Sequence, residues 1–345
     1  MTRLLRFAVA LLCFAIGTAD GARAGDSTDA DKAWPGWSPP SKSESTTAGE
    51  TLRVASGRRG TWDGLVTSFG IEQGLFRAEN LSVEVQWTDS DAAALQAALS
   101  GDAALALGND TIAVIEAYAK GAPVRVVSAE MTGASDLYWY VRADRTIGAV
   151  ADLTGRPMAF SRPGTPSHLA ALALVDAAKI RPQLIPTGDM AATRTLVMAG
   201  QIDAGWAAAP FDFDLLAAKR IRIIGRGSDV PALAERTLRV NVSSVPYLAE
   251  HREAARRFLK AYAAALEALY ADPARATNFF ARESQLAPEL AKQMPDYFPK
   301  QALALLPVQG LPETLAQARQ YKTIDAPVTE EALKGMLDIV YDPGQ

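Results

Sequence analysis

The sequence is poor in residues that hold metals or make disulfides. One cysteine, Cys13, and two histidines, His168 and His251, occur in 345 residues. A disulfide framework or structural zinc centre cannot be assembled from that inventory, so no metal and no cofactor is expected. Positive charge is also short, with 35 Lys and Arg against 39 Asp and Glu. Phosphate neutralisation needs clustered cations, so no nucleic-acid partner is expected. No apolar run reaches the ~20 residues that a membrane-spanning helix requires. A phosphate fingerprint is missing too, since Gly57-Arg58-Arg59-Gly60 lacks the required glycine spacing.

What the chain does have is apolar mass, 49% of its residues. That is enough for two lobes, each near the usual ~100–150 residues. Residues 1–24 read as a signal peptide: Arg3 and Arg6 give the positive start, Phe7 to Ile16 the apolar stretch, and Ala22-Arg23-Ala24 a small-x-small cleavage site. The competing reading is an uncleaved anchor. Residues 25–50, rich in Ser, Thr, Pro, Asp and Gly, cannot bury enough surface to offset their ordering entropy and read as a flexible linker.

From Thr51 the chain states one plan twice. Leu52-Arg53-Val54-Ala55 is followed by a Ser/Arg/Gly-Thr loop, 56–61, and a helical stretch, Trp62 to Gly74. Pro157-Met158-Ala159-Phe160 is followed by the matching loop 161–165 and a helical stretch, Pro166 to Lys179. Each copy then repeats an extended run, an Asp, a helix, a Gly stop and another strand, and closes on Val124–Val127 or Ile221–Ile224. Strands alternating with helices imply βαβ units and a mainly parallel sheet. Ligands bind beyond the carboxyl ends of such strands. Two copies imply two lobes sharing that edge; one larger sheet is the alternative.

The loops carry the candidate chemistry. Thr61 and Thr165 follow a glycine and precede a helical stretch, so both are expected as N-caps at anion-accepting helix starts. Arg58, Arg59 and Arg162 lie in the same loops and can fork onto a carboxylate, sulfonate or phosphate. Asn109, Asp110, Thr111 and Phe211 mark two further helix starts. Trp62 is expected to overhang the cleft, with Trp206 beside it. Catalytic signals are weak: Ser167 and His168 are adjacent, and adjacent helix residues do not face each other.

Four stretches carry a resemblance: GIEQGLFRAENLSVEVQW (70–87), LSGDAALALGNDTIAVIEAYAKGAPVRVV (99–127), ADLTGRPMAFSRPGTPSHLAALALV (151–175) and MAGQIDAGWAAAPF (198–211). In these the chain resembles periplasmic solute-binding proteins of ABC importers, in the nitrate/sulfonate/taurine and thiamine-precursor branch. The resemblance implies an α/β, two-lobed type II periplasmic-binding-protein fold, each lobe a mainly parallel sheet flanked by helices, hinged by two crossover strands near 140 and 241. Lobe I would be 51–138 plus 244–345, and lobe II 139–243. It implies ligand contacts from Arg59, Thr61, Trp62 and Asp63, from Asn109, Asp110 and Thr111, from Ser161, Arg162, Gly164, Thr165, Ser167 and His168, and from Trp206 and Phe211. Alkanesulfonate-binding members carry Trp-Asp-Pro where this chain has Ala208-Ala209-Pro210, which opens space in the site.

The function so implied is a monomeric, non-enzymatic periplasmic receptor for a small, anionic organic ligand. Its partners would be that ligand and an inner-membrane permease with its ATPase. An exported lyase-like enzyme on the same fold, or a ligand sensor for a membrane receptor, are the alternatives.

Overall fold

In the computed structural model the two expected copies become two five-stranded sheets. The structure describes residues 49–320, 322, 324 and 328–344; the signal reading and the linker reading up to residue 48 lie outside the described residues. The first sheet already takes in Glu50, whose amide donates to the Asn80 carbonyl at 3.1 Å.

The first lobe contains β1 (Glu50–Ser56), α1 (Val66–Glu72), α2 (Leu75–Ala78), β2 (Leu81–Trp87), α3 (Asp91–Ser100), β3 (Leu105–Asp110), α4 (Thr111–Ala119) and β4 (Val124–Thr132). The second contains β5 (Leu137–Arg142), β6 (Pro157–Phe160), α5 (Pro166–Ala178), β7 (Gln183–Pro186), α6 (Met190–Met198), β8 (Ala204–Ala208), α7 (Phe213–Ala217), β9 (Ile221–Arg226) and α8 (Pro231–Ala234). The chain then returns as β10 (Thr237–Ser244) to the first sheet.

Strand order is β2-β1-β3-β10-β4 in one sheet and β7-β6-β8-β5-β9 in the other, the same order with equivalent strands exchanged. In each sheet β1–β2–β3 or β6–β7–β8 pair in parallel. A single strand, β10 or β5, runs against its neighbours. Those reversed strands are the first to be laid down after each passage between lobes. β5 follows β4 across residues 133–136 and β10 follows β9 across 227–236, a stretch that includes α8, and β5 and β10 each lie wholly within one sheet.

Helices cover both faces of the sheets, which explains why β10 is buried at every residue despite its polar sequence, Thr-Leu-Arg-Val-Asn-Val-Ser-Ser. A buried polar group needs a partner. Asn241 finds three at a register shift in the strand: it accepts from the Gly108 amide at 3.1 Å and donates to Ser128 Oγ at 3.0 Å and the Ala129 carbonyl at 3.3 Å. This ties down the end of β3, where Asn109 and Asp110 emerge.

The remaining chain is helical: α9 (Val245–Ala271), α10 (Pro273–Ser284), α11 (Pro288–Ala291), α12 (Met294–Tyr297), α13 (Leu311–Gln320) and α14 (Glu330–Met336). Helix α9 packs on α1 and α2, with Phe258 stacked on Phe76 at 5.1 Å. Not all of this tail stays on the first lobe. Tyr297 sits against Phe213 at 5.1 Å and under the Arg226 guanidinium at 3.9 Å, both second-lobe residues. Its carbonyl accepts from Ser135 Oγ at 2.7 Å, so the tail straps the first passage between lobes.

Candidate functional site

Both sheets turn the carboxyl ends of their parallel strands to one cleft. A cavity of about 270 Å³ is lined from the first lobe by Gly57, Arg58, Arg59, Thr61, Ser90, Asp91 and Asp110, and from the second by Ser161, Arg162, Thr165, Ser167, Asp189 and Trp206. Leu137 and Arg239, at the passages between lobes, close it behind. A second cavity of similar size adjoins it along Asp91, Asp110, Arg162 and Thr165, and adds Asn109, Glu116 and Gly164.

The second-lobe loop is built as its sequence implies. Thr165 is the N-cap of α5, its hydroxyl accepting from the His168 amide at 3.4 Å, with Pro166 at the first helical position. Its hydroxyl also lies 2.8 Å from Ser161 Oγ and 3.1 Å from Ser167 Oγ, forming a small hydroxyl cluster at the cleft. Gly164 supplies the positive φ of +84° that turns the loop. Arg162 is exposed on the rim. Trp206 lines the cleft with its indole Nε1 donating to Thr187 Oγ1 at 3.2 Å.

The matching first-lobe loop departs from expectation. Helix α1 starts only at Val66, so Thr61 does not cap it. The Thr61 hydroxyl instead donates to the Arg58 carbonyl at 2.9 Å and accepts from the Gly64 amide at 3.3 Å, closing a turn. Trp62 does not overhang the cleft: it is 1% exposed, packs on Phe280 at 5.3 Å and donates to the Tyr270 hydroxyl at 3.0 Å. Asp63 is equally buried, with the Arg58 guanidinium donating to its carboxylate at 2.6 Å.

Other expected contacts also turn inward. Thr111 donates to the Thr237 carbonyl at 2.8 Å within the core. His168 stacks on Phe160 at 4.5 Å and accepts from the Gly164 amide, and burial pushes its imidazole below its ordinary range. Phe211 lies under Arg194 at 4.9 Å, and its carbonyl accepts from Tyr138. Asp63, Trp62, Thr111, His168 and Phe211 line neither cavity.

Beneath the cleft lies a charged floor. Arg58 bonds Asp63 and reaches Asp136 at 3.8 Å, while Arg239 donates to Asp136 at 2.5 Å. Burial alone would raise the Asp63 carboxyl, but Arg58 and Arg239 outweigh it and hold it at about 2. Burial and the neighbouring Asp63 push the Glu130 carboxyl well above its usual range, opposed by Arg58 and Arg239. Two guanidiniums, Arg58 and Arg239, are thus paired with two carboxylates, Asp63 and Asp136. Gly108, at φ +72°, admits this packing: a Cβ there would stand 2.4 Å from Arg58 Cδ.

Asp91, Arg239, Ser90 and Asp189 were not among the residues expected at the cleft. Each sits at a strand end or helix start on the same edge, and Ser90 and Asp189 cap α3 and α6 by accepting from Ala93 and Ala192. That capping pattern, repeated in both copies, is the signal that could have found Ser90, Asp91 and Asp189; Arg239, inside β10, carries no such signal.

Two lobes of the same strand order, closing their carboxyl edges on one cleft, define the periplasmic-binding-protein fold. The chain belongs to the NMT1/THI5-like family, whose model matches residues 67–276. No curated protein sequence matches it. Among solved structures, it is similar to the periplasmic aliphatic sulphonate binding protein SsuA from Escherichia coli, with 20% identity over 82% of this chain and 91% of that one, TM-score 0.69. It is similar also to the alkanesulfonate-binding protein SsuA from Xanthomonas axonopodis pv. citri bound to MOPS, with 18% identity over 84% and 98%, TM-score 0.69. A third similar structure is a C27S mutant of DSZB in complex with biphenyl-2-sulfinic acid, with 17% identity over 84% and 96%, TM-score 0.63.

Proposed function

We propose that this chain is the periplasmic substrate-binding component of an ABC importer, which captures a small anionic organic ligand between its lobes and delivers it to a permease with its ATPase. One observation carries the reading: a single cleft is lined by both lobes, with Arg59 and Thr61 on one side and Ser161, Arg162 and Thr165 on the other. A ligand touching both walls stabilises the closed form over the open one by its contacts to the second wall, which is how such a receptor signals occupancy. The rim arginines and hydroxyls suit a sulfonate-like head, in keeping with the sulfonate-binding proteins that share the fold.

The signal-like start of the chain fits export to the periplasm, and the receptor is read as a monomer acting without chemistry on its ligand. An enzyme is the second reading, because DSZB, a desulfurization enzyme, shares the fold. Against it, the described residues contain no cysteine, and Ser167 Oγ bonds Ser161 Oγ rather than a histidine. Titration of ethanesulfonate and longer alkanesulfonates against the purified chain, followed by the fluorescence of Trp206, tests the proposal. Binding should weaken in Arg162→Ala and in Thr165→Ala while each variant stays folded, and the probe should be recovered unchanged. Normal binding by both variants would remove the cleft assignment; a converted probe would favour the enzyme.

A further inference from the structure

At the end of each sheet remote from the cleft, where the parallel strands begin, the two lobes differ in charge. In the first sheet the residues at that edge are Asn80, Gly49, Ala104, Ser244 and Pro123, in the strand order β2-β1-β3-β10-β4, and none is charged. In the second, the same places in the order β7-β6-β8-β5-β9 hold or adjoin Arg181, Arg156, Asp203, Arg142 and Arg220. Arg156, Asp203 and Arg220 immediately precede their strands, and Arg142 ends β5. Arg181 lies two residues ahead of β7, where its carbonyl accepts from the Gly155 amide at 3.0 Å. Neighbouring strands stand about 4.8 Å apart, so the row spans about 19 Å.

Lys179 and Lys219, both exposed, follow α5 and α7 at the same end of the lobe. Arg222 holds the loop after β5 to this edge, donating to the carbonyls of Arg145 at 3.0 Å and Ile147 at 2.6 Å, and so keeps Arg145 beside the row. Eight cations thus meet four carboxylates, on a chain whose formal charge is −4. Three of the carboxylates have local partners: Asp203 lies 3.7 Å from Arg145 and 3.6 Å from Arg156, Asp144 pairs with Arg142, and Asp152 accepts from the amides of Gly148 and Ala149. The fourth, Asp176, is exposed. Arg181, Arg220, Lys179 and Lys219 enter no ion pair among the described residues. In the first lobe, by contrast, Arg257 and Lys260 reach the corresponding edge and are taken up by Glu50 and Glu79.

We propose that this arginine row is a docking surface for an anionic lipid bilayer, which seats the second lobe by the end remote from the cleft. Guanidiniums fork onto phosphate oxygens, and each cation near an anionic leaflet adds to the attraction until salt screens it. Arg220 also edges a cavity of about 330 Å³ with Met198 and Leu215, so an apolar group can sit beside the cations. That favours an amphiphile over a bare polyanion. The large apolar side chains exposed among the described residues, Ile71 and Val245, lie in α1 and α9, so the row lacks the apolar core that protein partners bury. Ligands reach the opposite, carboxyl ends of the strands, so adsorption by this edge leaves the cleft open.

The docking surface stands apart from the reading of the cleft, and co-sedimentation of the full chain with vesicles tests it. One set of vesicles is phosphatidylglycerol and phosphatidylcholine in equal parts, the other phosphatidylcholine alone. Binding should be about tenfold stronger to the first set at low salt, and should vanish in about 1 M salt, where the screening length is about 3 Å. Arg181→Gln combined with Arg220→Gln should lose about fivefold or more of that binding. Arg77→Gln combined with Lys292→Gln, which removes the same charge from exposed positions of the first lobe and its tail, should lose less than about twofold. Every chain carries the same N-terminal residues, so the difference between the two double variants reads the row. Ethanesulfonate binding should be the same in the unaltered chain and in Arg181→Gln/Arg220→Gln. Equal losses in the two double variants would reduce the effect to net charge and overturn the proposal. So would capture of the chain by a DNA duplex or by polyglutamate in place of vesicles. Failure of the unaltered chain to prefer the anionic vesicles overturns it whatever the variants do.

Discussion

The loops 56–65 and 161–168 are copies of one plan and both reach the cleft, yet the first turns Trp62 and Asp63 into the protein while the second keeps its cap, Thr165, and its arginine at the cleft. In the second, Arg162 stays exposed and Thr165 caps α5. In the first, Arg58 is drawn to Asp63, and Trp62 is covered by Tyr270 and Phe280. The cause is what lies outside each loop. The helical tail folds over the first lobe, and its α9 and α10 supply Tyr270 and Phe280 as a lid for Trp62. A shared strand order thus fixes where a loop sits, and neighbours distant in sequence fix what it does.

The widest gap between the loops should appear in stability. Trp62→Ala removes a fully buried indole and should cost about 3–5 kcal/mol. Arg58→Met strands the Asp63 carboxylate, which is without exposure, and should cost about 3 kcal/mol. Arg162→Met, at the equivalent place in the second lobe, should stay within about 0.5 kcal/mol, as exposed substitutions do. Urea melts of the three variants give the comparison directly. Equal losses in Arg58→Met and Arg162→Met would mean that both loops are structural, and the contrast between them would be lost.

This contrast also explains what the sequence discloses. The fold was legible because strand and helix periods, glycine stops and the repeated loop are local signals, and the matching strand orders bear that reading out. The second-lobe loop was legible for the same reason: Thr165 caps with residues three positions away. Trp62, Asp63 and Thr111 were not, because their partners are Tyr270, Arg58 turned inward by Asp136, and the carbonyl of Thr237. Nothing near Trp62 in sequence announces a lid two hundred residues later. Asp91 is not legible either, since it comes to share a cavity with Asp110 only when β2 and β3 flank β1.

A medium-sized effect should separate the two walls of the cleft by pH. The Asp110 carboxyl is pushed up to about 7 in the folded chain, first by burial and then by Asp91. Unfolded, it titrates at about 3.9. Between those values the folded state binds more protons than the unfolded state, so stability falls as pH rises from about 4 to about 7 and then levels off. Asp110→Asn should flatten that part of the profile and raise the melting temperature at neutral pH. Arg162→Ala should leave the pH slope in place. Melting scans of both variants across that range decide, and an unchanged slope in Asp110→Asn would show that Asp110 is no more strained than a surface carboxyl.

The smallest effect tests the threonines that the repeat places in register. Thr165→Ala removes a true helix cap and should cost about 1 kcal/mol. Thr61→Ala removes hydroxyl bonds that close a turn, whose backbone is also held by the Leu65 amide donating to the Thr61 carbonyl at 3.2 Å. Its cost should be nearer about 0.5 kcal/mol, the low end for a single hydrogen bond. Hydrogen exchange makes the distinction sharper than the totals do. Losing the Thr165 cap should free the amides of the first turn of α5, beginning with His168, without touching α1. Losing Thr61 should loosen only residues 61–65, because α1 begins after them and owes its start to Leu65. If α1 frays along its whole first turn in Thr61→Ala, the first loop is a helix start after all, and its inward-facing residues are a consequence of the tail alone rather than of a different local fold.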